Sequence, residues 1–269
     1  MNSTSLARPS LPTYDASVSR PPVCAPQWSP RWFLQKVLRQ YNRLRHFLSV
    51  RPADTDFREL AEIRSHASTL TDIDEHLELM FLEGLLCAPK LIVELGVRSG
   101  ASTCVFERVA RCCGSVLISA DLEDCSGVSS YSRWHFHQGD DVAFAALFPK
   151  FCGVRDIAPS IDLLFIDTSH YYDHTVEEIA AWFPLLSPSA KVIFHDTNLR
   201  AIGPRKDGCF ALGWDNQRGV IRAIEEFLGI KIDEQKEVVG HGNGWLVRHW
   251  PNCNGLTILD RLPPQLVED

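Results

Sequence analysis

The 269-residue sequence has no uninterrupted apolar run near the roughly 18 residues a bilayer-spanning helix needs, which excludes such a helix. It has no apolar signal-peptide core and no internal repeat. Its nine cysteines form no Cys-x-x-Cys and no zinc-ribbon spacing with histidine, so redox-motif and zinc-finger readings fall away. There is no G-x-G-x-x-G and no loop ending in Gly-Lys-Ser/Thr, which disfavours a nicotinamide-dependent oxidoreductase and a P-loop. Basic charge is scarce as well. Against 34 Asp and Glu there are 27 Lys and Arg, a net −7 that argues against a general nucleic-acid binder.

What is present is an ordinary globular composition, 45% apolar and 23% charged, which excludes a wholly disordered chain. An odd cysteine count that includes the adjacent Cys112 and Cys113 reads as buried thiols in a reducing, cytoplasmic setting. The charge is uneven. Residues 1–53 hold eight Lys and Arg and one acid, Asp15, a balance of +7, and the remainder carries −14.

Residues 1–30, with six Pro and six Ser, predict a disordered tail, with an organellar transit peptide as the alternative. Phe33, Val37, Tyr41, Leu44 and Leu48 recur at helical steps over 31–49, beside a basic face of Arg31, Lys36, Arg39, Arg43 and Arg45. A helix packed on the body is the favoured reading; oligomerisation and membrane-surface contact are the others. Helices are expected over 54–66 and 71–87, the second opened by Thr71–Asp74 as a capping box.

From residue 90 short apolar runs alternate with helical stretches. Strands are expected at 91–93, 116–118, 134–137, 161–166, 191–194, 230–239 and 244–250, and helices near 101–112, 141–151, 173–186 and 218–228. This predicts an α/β fold, a doubly wound, mostly parallel seven-stranded sheet. The expected organisation is a tail (1–30), a helical N-terminal extension (31–89) and a catalytic domain (90–269).

Ligands of open parallel sheets bind beyond the carboxyl ends of the strands. The first strand ends in Glu94-Leu95-Gly96-Val97-Arg98-Ser99-Gly100, a glycine turn opening a helix. The second ends at Asp121, where a carboxylate can accept hydrogen bonds from a ribose diol. The third ends in Gln138-Gly139-Asp140-Asp141, where an amide and a carboxylate could meet an adenine amino group; Asp140 also reads as a helix cap. The fourth runs into Asp167-Thr168-Ser169-His170 and the fifth into His195-Asp196-Thr197-Asn198. Two carboxylates and an imidazole brought to one sheet edge point to a divalent cation, Mg²⁺ or Mn²⁺.

This order of glycine turn and strand-ending acids resembles class I S-adenosylmethionine-dependent methyltransferases over about residues 75–250. The stretch Glu94–Thr103 is similar to small-molecule O-methyltransferases of the cephalosporin-hydroxylase-like and macrolide-sugar groups. The resemblance implies that Glu94, Gly96, Gly100 and Ser102 cradle the amino-acid end of S-adenosylmethionine, Asp121 its ribose, and Gln138 and Asp140 its adenine. It implies Asp167 and Asp196 as metal ligands and His170 as general base toward a hydroxyl of a small molecule, a sugar or natural-product intermediate. His195 stands where those enzymes carry Glu; it is read as a third ligand, with pocket lining or ligation by Asn198 as alternatives. Imidazole there favours Mn²⁺, Fe²⁺ or Zn²⁺ over Mg²⁺. His170 and His174 could also chelate as H-x-x-x-H, but the Glu of a zincin is missing, and His174 is expected on an exposed helix face. Residues 199–217, with Arg200, Arg205, Lys206 and Trp214, are expected to form an acceptor lid. Two other activities remain open: metal-independent or N-directed methyl transfer, and a catalytically silent cofactor-binding homologue.

Overall fold

The computed structural model describes residues 57–68, 71–199, 202–204, 210–212, 218–263 and 265. The expected tail, the 31–49 helix and the side chains of the lid lie outside the described residues. The helices are α1 (Arg58–Ala67), α2 (Leu77–Cys87), α3 (Ala101–Cys113), α4 (Asp141–Gly153), α5 (Tyr172–Trp182) and α6 (Gly219–Leu228). The strands are β1 (Leu91–Leu95), β2 (Val116–Asp121), β3 (Trp134–Gln138), β4 (Ile161–Ile166), β5 (Leu186–His195), β6 (Ile202–Pro204), β7 (Phe210–Leu212), β8 (Val238–Gly242), β9 (Trp245–Trp250) and β10 (Leu256–Arg261).

The main sheet has eight strands in the order β3-β2-β1-β4-β5-β10-β9-β8. Strands β1 to β5 pair in parallel, and β10, β9 and β8 add antiparallel. The α/β class holds, but the expected seven strands become eight. Strand β10 was not expected from its sequence, although it inserts between β5 and β9. Its Leu256–Leu259 are buried, yet the run sits between a turn and a proline pair that mask its length. The strand expected at 230–239 begins only at Val238. Among the described residues β6 and β7 form a separate antiparallel pair.

Alternation along the parallel strands feeds two cores. Val93, Leu95, Ile118, Leu164, Ile166, Val192 and Phe194 face α4, α5 and α6. Ile92, Leu117, Leu163, Phe165 and Ile193 face α1, α2 and α3. Such strands are covered on both faces and read as continuous apolar runs. Helices α1 and α2 therefore complete one layer of the sandwich. An ionic cluster pins α2 to the sheet: Glu83 accepts from Arg248 at 2.6 and 2.7 Å and from Lys191, and both cations also reach Asp260.

Residues 71–76 depart from the capping box. A short 3-10 turn (Asp74–His76) precedes α2, and Thr71 Oγ1 accepts from the Ile73 N–H at a long 3.4 Å. The seven described cysteines are all free. None of the described helices is long and apolar enough to cross a membrane.

Candidate active site

The turn after β1 is built around a buried acid. Glu94 is fully buried; it accepts from Ser102 Oγ and Ser119 Oγ at 2.6 Å and from Thr103 Oγ1 at 2.9 Å. Burial outweighs these donors and pushes its pKa up to about 7. Glu94 and Ser102, both expected at the cofactor, thus bond to each other and tie β1 to the first turn of α3.

Gly96 has φ +89°, and a Cβ there would lie 2.0 Å from the backbone oxygen of Asp167. The turn is therefore closed against the end of β4, and only glycine allows both the angle and the approach. Asp121 holds the other side. Its Oδ2 accepts from the N–H groups of Val97 (2.7 Å) and Arg98 (3.0 Å), and Oδ1 accepts from Glu123 N–H. Burial opposes this carboxylate's charge, but the backbone donors win and lower its pKa. The acid expected to meet a ribose is thus also the anchor of the glycine turn. Asp140 caps α4, accepting from the Ala143 N–H at 2.8 Å, as its alternative reading required. Gln138 is exposed and reaches only the Leu122 carbonyl, at 3.4 Å.

The ends of β4 and β5 bring four expected residues together. His170 Nε2 lies 3.0 Å from Asp167 Oδ1 and 3.1 Å from Asp196 Oδ2. His195 Nδ1 lies 3.5 Å from Asp167 Oδ1 and 3.4 Å from Asp196 Oδ1. His170 and Asp196 have φ of +61° and +55°, a costly backbone state for residues with a side chain. Burial disfavours charge on both imidazoles, but Asp196 and then Asp167 outweigh it, raising His170 and pushing His195 up to about 9. Asp167 is held far below the carboxylate range against its burial, chiefly by His195, whereas burial raises Asp196.

Two buried atoms point into this cluster without a hydrogen-bond partner, His195 Nδ1 and Asp196 Oδ1. Asp167, His170 and Asp196 offer ligand atoms within 4.8 Å of one another. This donor set fits a divalent cation. Asn198 does not supply a ligand, because Nδ2 donates to the Pro251 carbonyl and Oδ1 accepts from Gln235. His174 is only part-exposed and turns away from His170 toward Asp141, so the H-x-x-x-H chelate is overturned.

Other contacts at the site were not legible. His195 Nε2 bonds the Cys253 carbonyl in the β9–β10 connection, and the His76 ring packs edge-on against His195 at 5.8 Å. Asp72 pairs with Arg98 of the glycine turn at 2.9 Å. A recognised β10 and a helix layer folded over the sheet would have been needed to find them.

Residues 93–197 match a family described as a methyltransferase domain. That match spans less than half of the 269 residues. The match runs from within β1 to just past the end of β5, and with it takes in every residue of the His170 cluster. The fold is shared with solved methyltransferases. It is similar to the MycE methyltransferase of the mycinamycin biosynthetic pathway, solved with Mg, SAH and mycinamycin VI. That likeness has TM-score 0.51 and 18% identity and covers 76% of this chain and 55% of MycE. It is also similar to the SAH-bound Podospora anserina methyltransferase PaMTH1, with TM-score 0.51 and 16% identity over 84% of this chain and 96% of that one. A curated relative, the uncharacterized protein y4gI of Sinorhizobium fredii, is 31% identical over 132 residues, 43% of this chain. The chain covers 14% of that relative's length.

Proposed function

We propose that the protein methylates a hydroxyl of a small molecule, using S-adenosylmethionine and a divalent cation, with His170 as general base. One observation carries this reading. The glycine turn anchored by Asp121 packs directly on the Asp167 carbonyl, so the cofactor-type turn and the acid–imidazole cluster form one continuous edge. The likeness to MycE, which was solved with Mg and SAH, supports the combination.

The sulfonium methyl of S-adenosylmethionine would be the group transferred, and a cation at the cluster would lower the pKa of a bound hydroxyl. Gly96, Gly100 and the free N–H groups opening α3 would receive the cofactor's amino-acid end, with Asp121 beside its ribose. Asp167, Asp196 and His195 would hold the cation, and the imidazole suits Mn²⁺, Fe²⁺ or Zn²⁺ better than Mg²⁺. Asp167 is held ionised and can only accept, so the neutral His170 would carry its proton on Nε2, leaving the Nδ1 lone pair to take the proton of the acceptor hydroxyl. The imidazolium so formed lies against Asp167 and Asp196. His170, its side chain 22% exposed, is the most exposed member of the cluster and would meet an incoming acceptor first. The rest of the acceleration comes from holding the nucleophile in line with the methyl.

A second arrangement rests on the close approach of Asp167, His170 and Asp196, with His170 Nε2 as the third metal ligand in place of His195. Calorimetry with S-adenosylmethionine, and then with Mn²⁺, on the parent, His170→Ala and Asp196→Asn tests these readings. Cofactor binding by all three, with Mn²⁺ affinity lost only in Asp196→Asn, supports His170 as base. Loss of Mn²⁺ in His170→Ala as well makes it a ligand. No cofactor binding at millimolar concentration contradicts the function. A labelled-methyl screen of hydroxylated acceptors then identifies the substrate class.

A further inference from the structure

A second convergence of acids and imidazole lies away from the His170 cluster, where the start of α4 meets α5. Asp141 is the first residue of α4, and His174 and Glu178 stand one turn apart on α5, a spacing that puts both on one helix face. His174 Nε2 is 3.1 Å from Asp141 Oδ1 and 3.6 Å from Glu178 Oε1. The three residues offer ligand atoms within 4.8 Å of one another.

Glu178 is fully buried, and its Oε1 accepts from Thr168 Oγ1 at 2.5 Å. Its Oε2 and the Asp141 Oδ2 are both buried without a hydrogen-bond partner. Two carboxylates within 4.8 Å of each other and out of water repel unless a proton or a cation lies between them. Without a cation, burial pushes Glu178 well above the usual carboxylate range. A proton shared by the two acids is the competing arrangement, with His174 Nε2 paired to Asp141 Oδ1 at 3.1 Å beside it. His174 is part-exposed, which opens a path for an ion from solvent.

We propose that Asp141, His174 and Glu178 form a second divalent-cation site that ties α4 to α5. One imidazole and two carboxylates suit Zn²⁺, whose fourth position a water commonly fills. The site is a structural one. Through Thr168, which donates to Glu178, it braces the segment between Asp167 and His170.

The full-length protein, stripped with chelator and dialysed, is titrated with Zn²⁺ against a chromophoric competitor, and its melting temperature is followed with and without Zn²⁺. Background binding at the free cysteines cancels in the comparison between variants. His174→Ala and Glu178→Gln should each bind one equivalent fewer than the parent, with affinity at that site down by more than about 100-fold, and lose a Zn²⁺-dependent rise in melting temperature. Asp196→Asn should keep that rise. Its own zinc equivalent reports the His170 cluster, so failure there leaves this site untouched and the reverse. Glu178→Gln mimics a protonated acid. If it and His174→Ala bind as much Zn²⁺ as the parent, with the same thermal response, the pair shares a proton and the proposal is overturned. If Glu178→Gln does not fold by circular dichroism, His174→Ala, a truncation of a part-exposed ring, decides alone.

Discussion

His170 Nε2 stands 3.1 Å from Asp196 Oδ2, and both residues hold positive φ at the ends of neighbouring parallel strands. Strain of about 1–3 kcal/mol per residue persists only where surrounding structure enforces it. Here it aims an imidazole and a carboxylate at one point between β4 and β5.

His170→Ala should lower kcat for methyl transfer by about 10²- to 10⁴-fold, the usual worth of a positioned base. S-adenosylmethionine affinity should stay within about twofold of the parent. Single-turnover kinetics with a labelled methyl, beside calorimetry, checks both.

Asp121→Asn keeps one acceptor oxygen and turns the other into an NH₂ group, which must face either the N–H groups of Val97 and Arg98 or that of Glu123. Losing these charge-assisted bonds should cost about 1–3 kcal/mol of stability and weaken cofactor binding at least tenfold. Asp140→Ala removes a helix cap, so it should cost about 1 kcal/mol of stability, and a fall in cofactor affinity beyond that would report the adenine contact. Urea unfolding and cofactor titration separate the two acids.

Gly96→Ala should be poorly tolerated. The new Cβ would fall 2.0 Å from the Asp167 carbonyl oxygen at a φ that L-residues avoid. A loss of at least about 3 kcal/mol is expected, with cofactor and metal affinity falling together because the two halves of the site share this contact. An unchanged melting temperature would contradict the close approach.

Glu94 predicts a pH dependence. Burial pushes its pKa in the folded protein up to about 7, against 4.5 for a glutamate in water, so the native state binds the extra proton. Its contribution to stability is present in full below pH 4.5 and is lost as pH rises through 7, an effect of about 3 kcal/mol at most. Relative to Glu94→Gln, the parent should lose stability between pH 5 and 7.5. Urea midpoints for both proteins across that range measure the slope.

Much of the site was legible because strand ends are marked locally. Apolar runs of five or six residues ending in Glu94, Asp121, Asp167 and His195-Asp196 define both the strands and the sheet edge where ligands bind, and a parallel sheet buried on both faces demands such runs. The sequence by itself therefore determined the α/β class, the glycine turn and the chemical types collected at that edge. What tertiary structure decided is how each polar group is used. Strand β10 enters between β5 and β9 and delivers Cys253 to His195, an order that no local pattern encodes. Asp121 reads as a ribose acid but also anchors the Gly96 turn, and Glu94 reads as a cofactor contact but also accepts from the hydroxyls of Ser102, Thr103 and Ser119. His174 reads as an exposed helix residue but pairs with an acid 33 positions earlier. Whether a carboxylate meets ligand, backbone or another acid depends on its burial and on partners distant in sequence, and those exist only once the layers have packed.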